Sequence, residues 1–281
     1  MKLLKFTFII CFQLILGCYP APQTASESPV LDEPGHGIVG GTIVSEHDNF
    51  NSHIVGVYDE SRGSLCTGTL IRQDLVLTAA HCVDSAKTAD RIRILLGLNL
   101  HSSIHSSLHS SIPVRVFLIH SGYQKDARLN VYDVALIKLA KRAPAKYKPA
   151  VIATETEDFE DPSHNYLTAG YGVTKAGDND AGILRKLVVQ GKDLARATRG
   201  LRISINARHS GGFCNGDSGG PLFKIIRNRD GLIKFSVLGV ASEVTQIKLF
   251  GIKFNELCKG TGFYTSVPAF SSWIKKNAAE M

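Results

Sequence analysis

One octapeptide, Asn-Gly-Asp-Ser-Gly-Gly-Pro-Leu from Asn215 to Leu222, constrains this chain more than any other segment. Its serine, Ser218, stands among glycines, and backbone without side chains lets a ligand come close to the hydroxyl. Two further segments carry complementary chemistry: Leu-Thr-Ala-Ala-His-Cys, ending at His81 and Cys82, and Asp-Val-Ala-Leu-Ile-Lys-Leu, starting at Asp133. A base, an acid and a nucleophile far apart in sequence can act together only in a fold that returns all three to one place.

The order His, Asp, Ser and these flanks resemble the chymotrypsin-like serine peptidases, whose triad runs in that order where other Ser-His-Asp folds differ. The resemblance extends from Ile38 to about Ile274. It implies an all-β protein, two antiparallel six-stranded β-barrels with a C-terminal helix, and a triad between the barrels. A chain of 281 residues is long enough for two such cores.

Short β-type runs separated by turn residues fit that expectation. The first set is 53–58, 67–71, 75–78, 92–96, 114–120 and 135–139; the second is 166–171, 184–189, 203–206, 221–226, 235–241 and 262–267. From Pro268 an amphipathic tail with Phe270, Trp273 and Ile274 on one side predicts a helix to about residue 280. The expected organisation is a signal peptide over 1–17, a tether or pro-segment over 18–37 and a peptidase domain over 38–281. Within it, one barrel spans about 38–155 and the other about 156–267.

Serine is a weak nucleophile until it loses its proton, and an imidazole of ordinary pKa about 6.5 suits that task near neutral pH. His81 is the expected base and Asp133 the acid that orients it. Attack on a carbonyl creates an oxyanion, for which the resemblance offers the backbone N–H groups of Gly216 and Ser218. Ile38-Val39-Gly40-Gly41 resembles the amino terminus exposed when zymogens of this family are cut, and the freed ammonium would pair with Asp217. The preceding residues, Pro34-Gly35-His36-Gly37, include no Arg or Lys, so the activating protease is not trypsin-like.

By register from Ser218, Gly212 falls at the floor of the primary pocket, with Ser242, Val244 and Gly262 along its walls. No acid stands at the floor, and Val244 narrows the mouth, which favours small or medium apolar side chains over aromatic ones. Glu243 occupies a place where an aromatic residue is common; a bias toward basic groups is the competing reading.

Cys11 and Cys18 belong to the leader, leaving Cys66, Cys82, Cys214 and Cys258. Four cysteines allow three pairings; the resemblance implies Cys66 with Cys82 and Cys214 with Cys258. Zinc is the competing reading, weakened by the absence of any Cys-x-x-Cys pair. The chemistry requires no cofactor.

Met-Lys-Leu-Leu-Lys followed by an apolar run is too short for a permanent span and fits a secretion signal. Leu14 to Cys18 resembles a bacterial lipoprotein signal, which would place a lipid on Cys18 and tether the protein to a membrane; cutting of an ordinary signal nearby stands beside it. Both imply a secreted or periplasmic product. The net charge of +7 is dispersed, with no dense basic tract, which argues against nucleic acid as a partner.

Three His-Ser-Ser units between His101 and Ile112 place His101, His105 and His109 four apart, a spacing that can bind a metal but also suits a low-complexity surface loop. His120, His164 and His209 are read as structural. The expected function is a serine endopeptidase acting on proteins or peptides through an acyl-enzyme on Ser218. A non-catalytic binding or regulatory protein of the same fold is the alternative.

Overall fold

The computed structural model describes residues 38–281 apart from 106–110, 126–129, 158–160, 207–210, 229, 246–247, 250–251, 254–257 and 259. The expected signal peptide, Cys18, the segment 18–37, His109 and His209 lie outside the described residues.

In chain order the elements are β1 (Thr42–Ile43), β2 (Ile54–Asp59), β3 (Ser64–Arg72), β4 (Leu75–Thr78), β5 (Ile92–Leu95), α1 (His101–His105), β6 (Ile112–Ile119) and β7 (Ala135–Leu139). There follow β8 (Val151–Ile152), β9 (Asn165–Gly170), β10 (Arg185–Gln190), β11 (Leu194–Ala197), β12 (Arg202–Asn206), β13 (Pro221–Arg227) and β14 (Ile233–Val244). The last are β15 (Lys248–Leu249), β16 (Ile252–Lys253), β17 (Thr261–Ser266) and α2 (Val267–Glu280).

Strands β2, β3, β4, β7, β6 and β5 close into a six-stranded antiparallel barrel, each paired with the next and β5 with β2. Closure removes exposed edges, and Leu75, Val76, Leu77, Leu136 and Ile137 are wholly buried within it. All six strands coincide with runs read from the sequence.

The second half is a nine-stranded sheet in the order β1, β10, β9, β13, β14, β17, β12, β11, with β8 parallel to β14. Six of these strands match the expected second set. The additional ones are short: β1 and β8 have two residues each and β11 four. Two residues carry no alternation to read, and β11, Leu-Ala-Arg-Ala, has no β-branched or aromatic residue to mark it as a strand. Strands β1 and β8 also pair into this sheet although they fall before residue 155, where the sequence suggests the first barrel ends.

In β14 the pairing with β17 passes from Ala241↔Tyr264 to Glu243↔Phe263, which leaves Ser242 as an extra, bulged residue. A bulge rotates a side chain out of the regular alternation, and this one decides where the Ser242 hydroxyl goes. Helix α2 carries Pro268 in its first turn and buries Val267, Phe270 and Ile274. Trp273 packs partly buried beside His120, whose ring also stacks on Tyr132, in keeping with the structural reading of His120 and the apolar side expected for Trp273. The start of the His-Ser-Ser repeat forms the five-residue α1.

Candidate active site

His81 lies on a single 3-10 turn, Ala80–Cys82, directly after β4, and Asp133 lies just before β7, its neighbour in the barrel. Pairing of β4 with β7 therefore places the two side by side. Asp133 Oδ2 is 2.8 Å from His81 Nδ1, and Oδ1 accepts the His81 main-chain N–H at 3.0 Å. Ser242 donates its hydroxyl to Oδ2 at 2.6 Å, and Thr265 donates to the Asp133 carbonyl at 2.9 Å. A carboxylate only accepts, so the proton of the neutral ring sits on Nδ1 and Nε2 keeps a free lone pair.

The Asp133 side chain is 1% exposed, whereas that of His81 is 32% exposed. Burial disfavours the imidazolium, yet the hydrogen bond and negative charge of Asp133 outweigh it and raise the His81 pKa above its ordinary value. Burial acts upward on Asp133 as well. The bonds from His81 and Ser242, together with the attraction of the ring, hold its carboxyl below the usual range.

Ser218 follows a tight turn in which Gly216 has φ +98, a conformation open to glycine. A Cβ on Gly216 would meet Gly172 Cα at 2.8 Å. In this loop Asp217 N–H donates to Cys214 O, Gly219 N–H to Ala241 O and Gly220 N–H to Asp217 O. Among the described residues the N–H groups of Gly216 and Ser218 donate to nothing. The Ser218 carbonyl accepts from Thr67 N–H at 2.8 Å and lies 3.6 Å from Cys82 Sγ, which is itself 3.9 Å from His81 Nε2. Ser218 is thus brought beside the His81 turn, while no hydrogen bond joins its hydroxyl to His81 among the described residues. Such bonds are often long without substrate and tighten on binding.

A cavity of about 250 Å³ opens at Ser218, lined by Phe213, Cys214, Asn215, Ser218, Ser242, Glu243, Val244 and Cys258. Ser242 and Val244, expected along the pocket walls, line this cavity together with Ser218. Gly212 and Gly262 do not reach the lining: Gly212 is bridged to Val39, and the space a Gly262 side chain would need is filled by the Phe213 ring, 2.9 Å from a built Cβ. Phe213, which sequence reasoning missed, also lines this cavity, its ring edge-on to that of Tyr264.

Glu243 Oε1 is 2.6 Å from Arg202 Nη2, and the Arg202 side chain is wholly buried over the Phe263 ring. The guanidinium balances the carboxylate, so Glu243 presents no isolated negative charge to a basic substrate group. On the far side of Asn215 and Gly216 a second cavity, about 520 Å³, is lined in part by Tyr58, Leu65, His101 and Ile104. This is where the histidine repeat meets the site.

Asp217 is buried among backbone groups, its Oδ1 accepting Gly172 N–H at 2.7 Å and its Oδ2 accepting Cys214 N–H at 2.8 Å. Burial pushes its pKa up to about 7 against those two bonds. Added Cβ atoms on Gly170 and Gly172 would fall 2.3 and 2.5 Å from this carboxylate, which explains both glycines. Ile38 is wholly buried at φ +36 and makes no hydrogen bond to Asp217 among the described residues.

Cys66 is bonded to Cys82 and Cys214 to Cys258, with Cα separations of 6.0 and 5.1 Å. The first bridge ties the His81 turn to β3. The second ties the Ser218 loop to the segment before β17. Among the described residues the one cluster with metal-binding geometry is Cys66, His81 and Cys82, and the disulfide occupies both of its thiols.

A sequence model of the family described as Trypsin matches residues 38–274. The human chymotrypsin-like elastase family member 1 is 30% identical over 257 residues, which cover 87% of this chain and 93% of that protein. Serine protease SSP1 of the centipede Scolopendra subspinipes is 29% identical, with 90% of this chain and 87% of that protein covered. Phenoloxidase-activating enzyme 1 of the moth Spodoptera litura is 26% identical, at 92% and 72% coverage. With a barrel that pairs His81 to Asp133, a glycine-framed Ser218 beside them and this match over most of its length, the chain belongs to the trypsin family of chymotrypsin-like serine peptidases.

Proposed function

We propose that this protein is a serine endopeptidase in which Ser218 attacks the substrate carbonyl, His81 takes and returns the proton, and Asp133 orients the ring. The observation that carries the reading is the His81–Asp133–Ser242 hydrogen-bond row, with Asp133 in the middle, beside a cavity that Ser218 lines. Nε2 points its lone pair away from Asp133, as a base for Ser218 must. The N–H groups of Gly216 and Ser218, unused within the described structure, are the donors for the oxyanion, each worth about 3 kcal/mol in the transition state. Acylation of Ser218 is followed by hydrolysis with water activated through His81.

The cavity of about 250 Å³ that Phe213 lines, narrowed by Val244, favours cleavage after small or medium apolar residues. Its size supports this, as does the likeness to proteins named for elastase. Cutting before Ile38 by an unidentified protease frees an ammonium that pairs with Asp217, a buried acid that has no cation bonded to it among the described residues. Residues 1–17 direct export and 18–37 form the tether or pro-segment that precedes the peptidase domain 38–281. The product is secreted or periplasmic, with Cys18 as the lipid site if the protein is membrane-anchored.

A fluorophosphonate probe tests the enzyme. Labelling of protein cut before Ile38, lost in Ser218→Ala, is the expected result. Folded, cut protein that takes no label would make the chain a binding or regulatory member of the fold. Mass spectrometry of the mature amino terminus tests the processing and the Cys18 lipid together.

A further inference from the structure

The geometry points to Thr67, on β3 of the first barrel, as the residue that positions the oxyanion-binding N–H groups of Gly216 and Ser218; this rests on the peptidase reading above. Thr67 is wholly buried and uses each of its polar atoms at the junction between the barrel and the Ser218 loop. Its N–H donates to Ser218 O at 2.8 Å, its carbonyl accepts from Thr78 Oγ1 at 2.9 Å, and its side-chain oxygen is 3.1 Å from Tyr171 N and 2.8 Å from Gly216 O. A backbone N–H can only donate, so the hydroxyl accepts from Tyr171. Its single proton therefore goes to Gly216 O.

Three peptide units determine where the two oxyanion donors point. The unit that carries Gly216 N–H is held through Asn215 O by Val173 N–H at 2.8 Å. The unit that carries Ser218 N–H is held through Asp217 O by Gly220 N–H at 2.9 Å. The unit between them is held at both ends, its Asp217 N–H donating to Cys214 O at 3.0 Å and its Gly216 O accepting the Thr67 hydroxyl at 2.8 Å. Each unit is planar and turns as a body, and Gly216 has no Cβ to resist the turn. A side chain from the other half of the molecule thus holds the carbonyl of the middle unit, where backbone N–H groups hold the carbonyls of its neighbours.

The test uses the full chain cut before Ile38. Thr67→Val keeps the shape and removes the hydroxyl. It should lower kcat by about tenfold to a hundredfold with little change in KM, because displaced donors act on the transition state and not on the bound substrate. Affinity for a peptide boronate should fall by a similar factor, while that for a peptide product stays level. Thr67→Ser should restore both. Thr67→Ala removes the same hydroxyl without added bulk and replaces the valine variant if that one does not fold. Unchanged kcat and boronate affinity in the hydroxyl-free variant, or a loss that serine does not restore, would overturn the role of Thr67 while leaving the peptidase reading intact. A folded wild type that neither labels nor hydrolyses would overturn both.

Discussion

Ser242 donates to Asp133 Oδ2 at 2.6 Å because the bulge in β14 turns it out of register with β17. The same oxygen faces His81 Nδ1 at 2.8 Å, so the carboxylate is held from both sides and the ring is aimed by a fixed acceptor. Ser242→Ala should lower kcat/KM by about tenfold, as expected when a support of a positioned base is removed. Steady-state kinetics on a small peptide ester would measure it. A drop confined to KM would mean that Ser242 acts as pocket wall alone.

The raised His81 pKa sets the acid limb of kcat/KM above pH 6.5, since the base must be neutral to accept a proton. In Asp133→Asn the raising influence is gone while burial remains, so the limb should move to lower pH and kcat should fall by about ten-thousandfold, the size typical of this triad. The pair also shapes stability. The contribution of His81 is fully present below about pH 6.5 and is lost as pH rises through its folded pKa. That of Asp133 is present above about pH 4 and is lost as pH falls through its folded pKa. A limb unmoved in Asp133→Asn would contradict the assignment.

Asp217 behaves in the opposite sense. Its pKa of about 7 lies above the unfolded value of 3.8, so the folded uncut chain binds the extra proton and loses stability as pH rises from about 4 to about 7. A new ammonium at Ile38 should abolish that slope. Urea unfolding at pH 5 and pH 8, with uncut and cut protein compared, would show the difference. An equal slope in both forms would argue against an Ile38–Asp217 ion pair.

Phe213 fills the space beneath Gly262, and its replacement should deepen the cavity. Phe213→Ser is expected to raise the ratio of kcat/KM for a phenylalanine over an alanine substrate by about tenfold or more, the range that pocket volume controls. A fall in both rates without a change in their ratio would place Phe213 outside the specificity pocket.

The Arg202–Glu243 pair should respond unequally to truncation. Glu243→Ala leaves a wholly buried guanidinium uncompensated and should cost about 2 kcal/mol, less than a fully buried pair because Glu243 is 37% exposed. Arg202→Met leaves a carboxylate that water can reach and should cost less. Denaturant midpoints would rank the two, and the reverse order would mean that the guanidinium finds another partner.

Local chemistry was readable in the sequence. The runs that became the barrel strands and most of the second sheet carry enough β-type residues to be seen without tertiary context, and His81, Asp133 and Ser218 announce themselves by short flanking motifs. The pairing of the four cysteines came from family resemblance, and the structure bonds them that way. What the folded molecule alone decided depends on register and on contacts between distant segments. A one-residue bulge aims Ser242 at Asp133. A ring from one segment fills the space left by a glycine in another, putting Phe213 against Gly262, which was expected along the pocket wall. A hydroxyl on β3 reaches Gly216 across the junction between the two halves. Such relations are absent from any local window because they arise only when packing sets the relative offset of strands that the sequence keeps far apart.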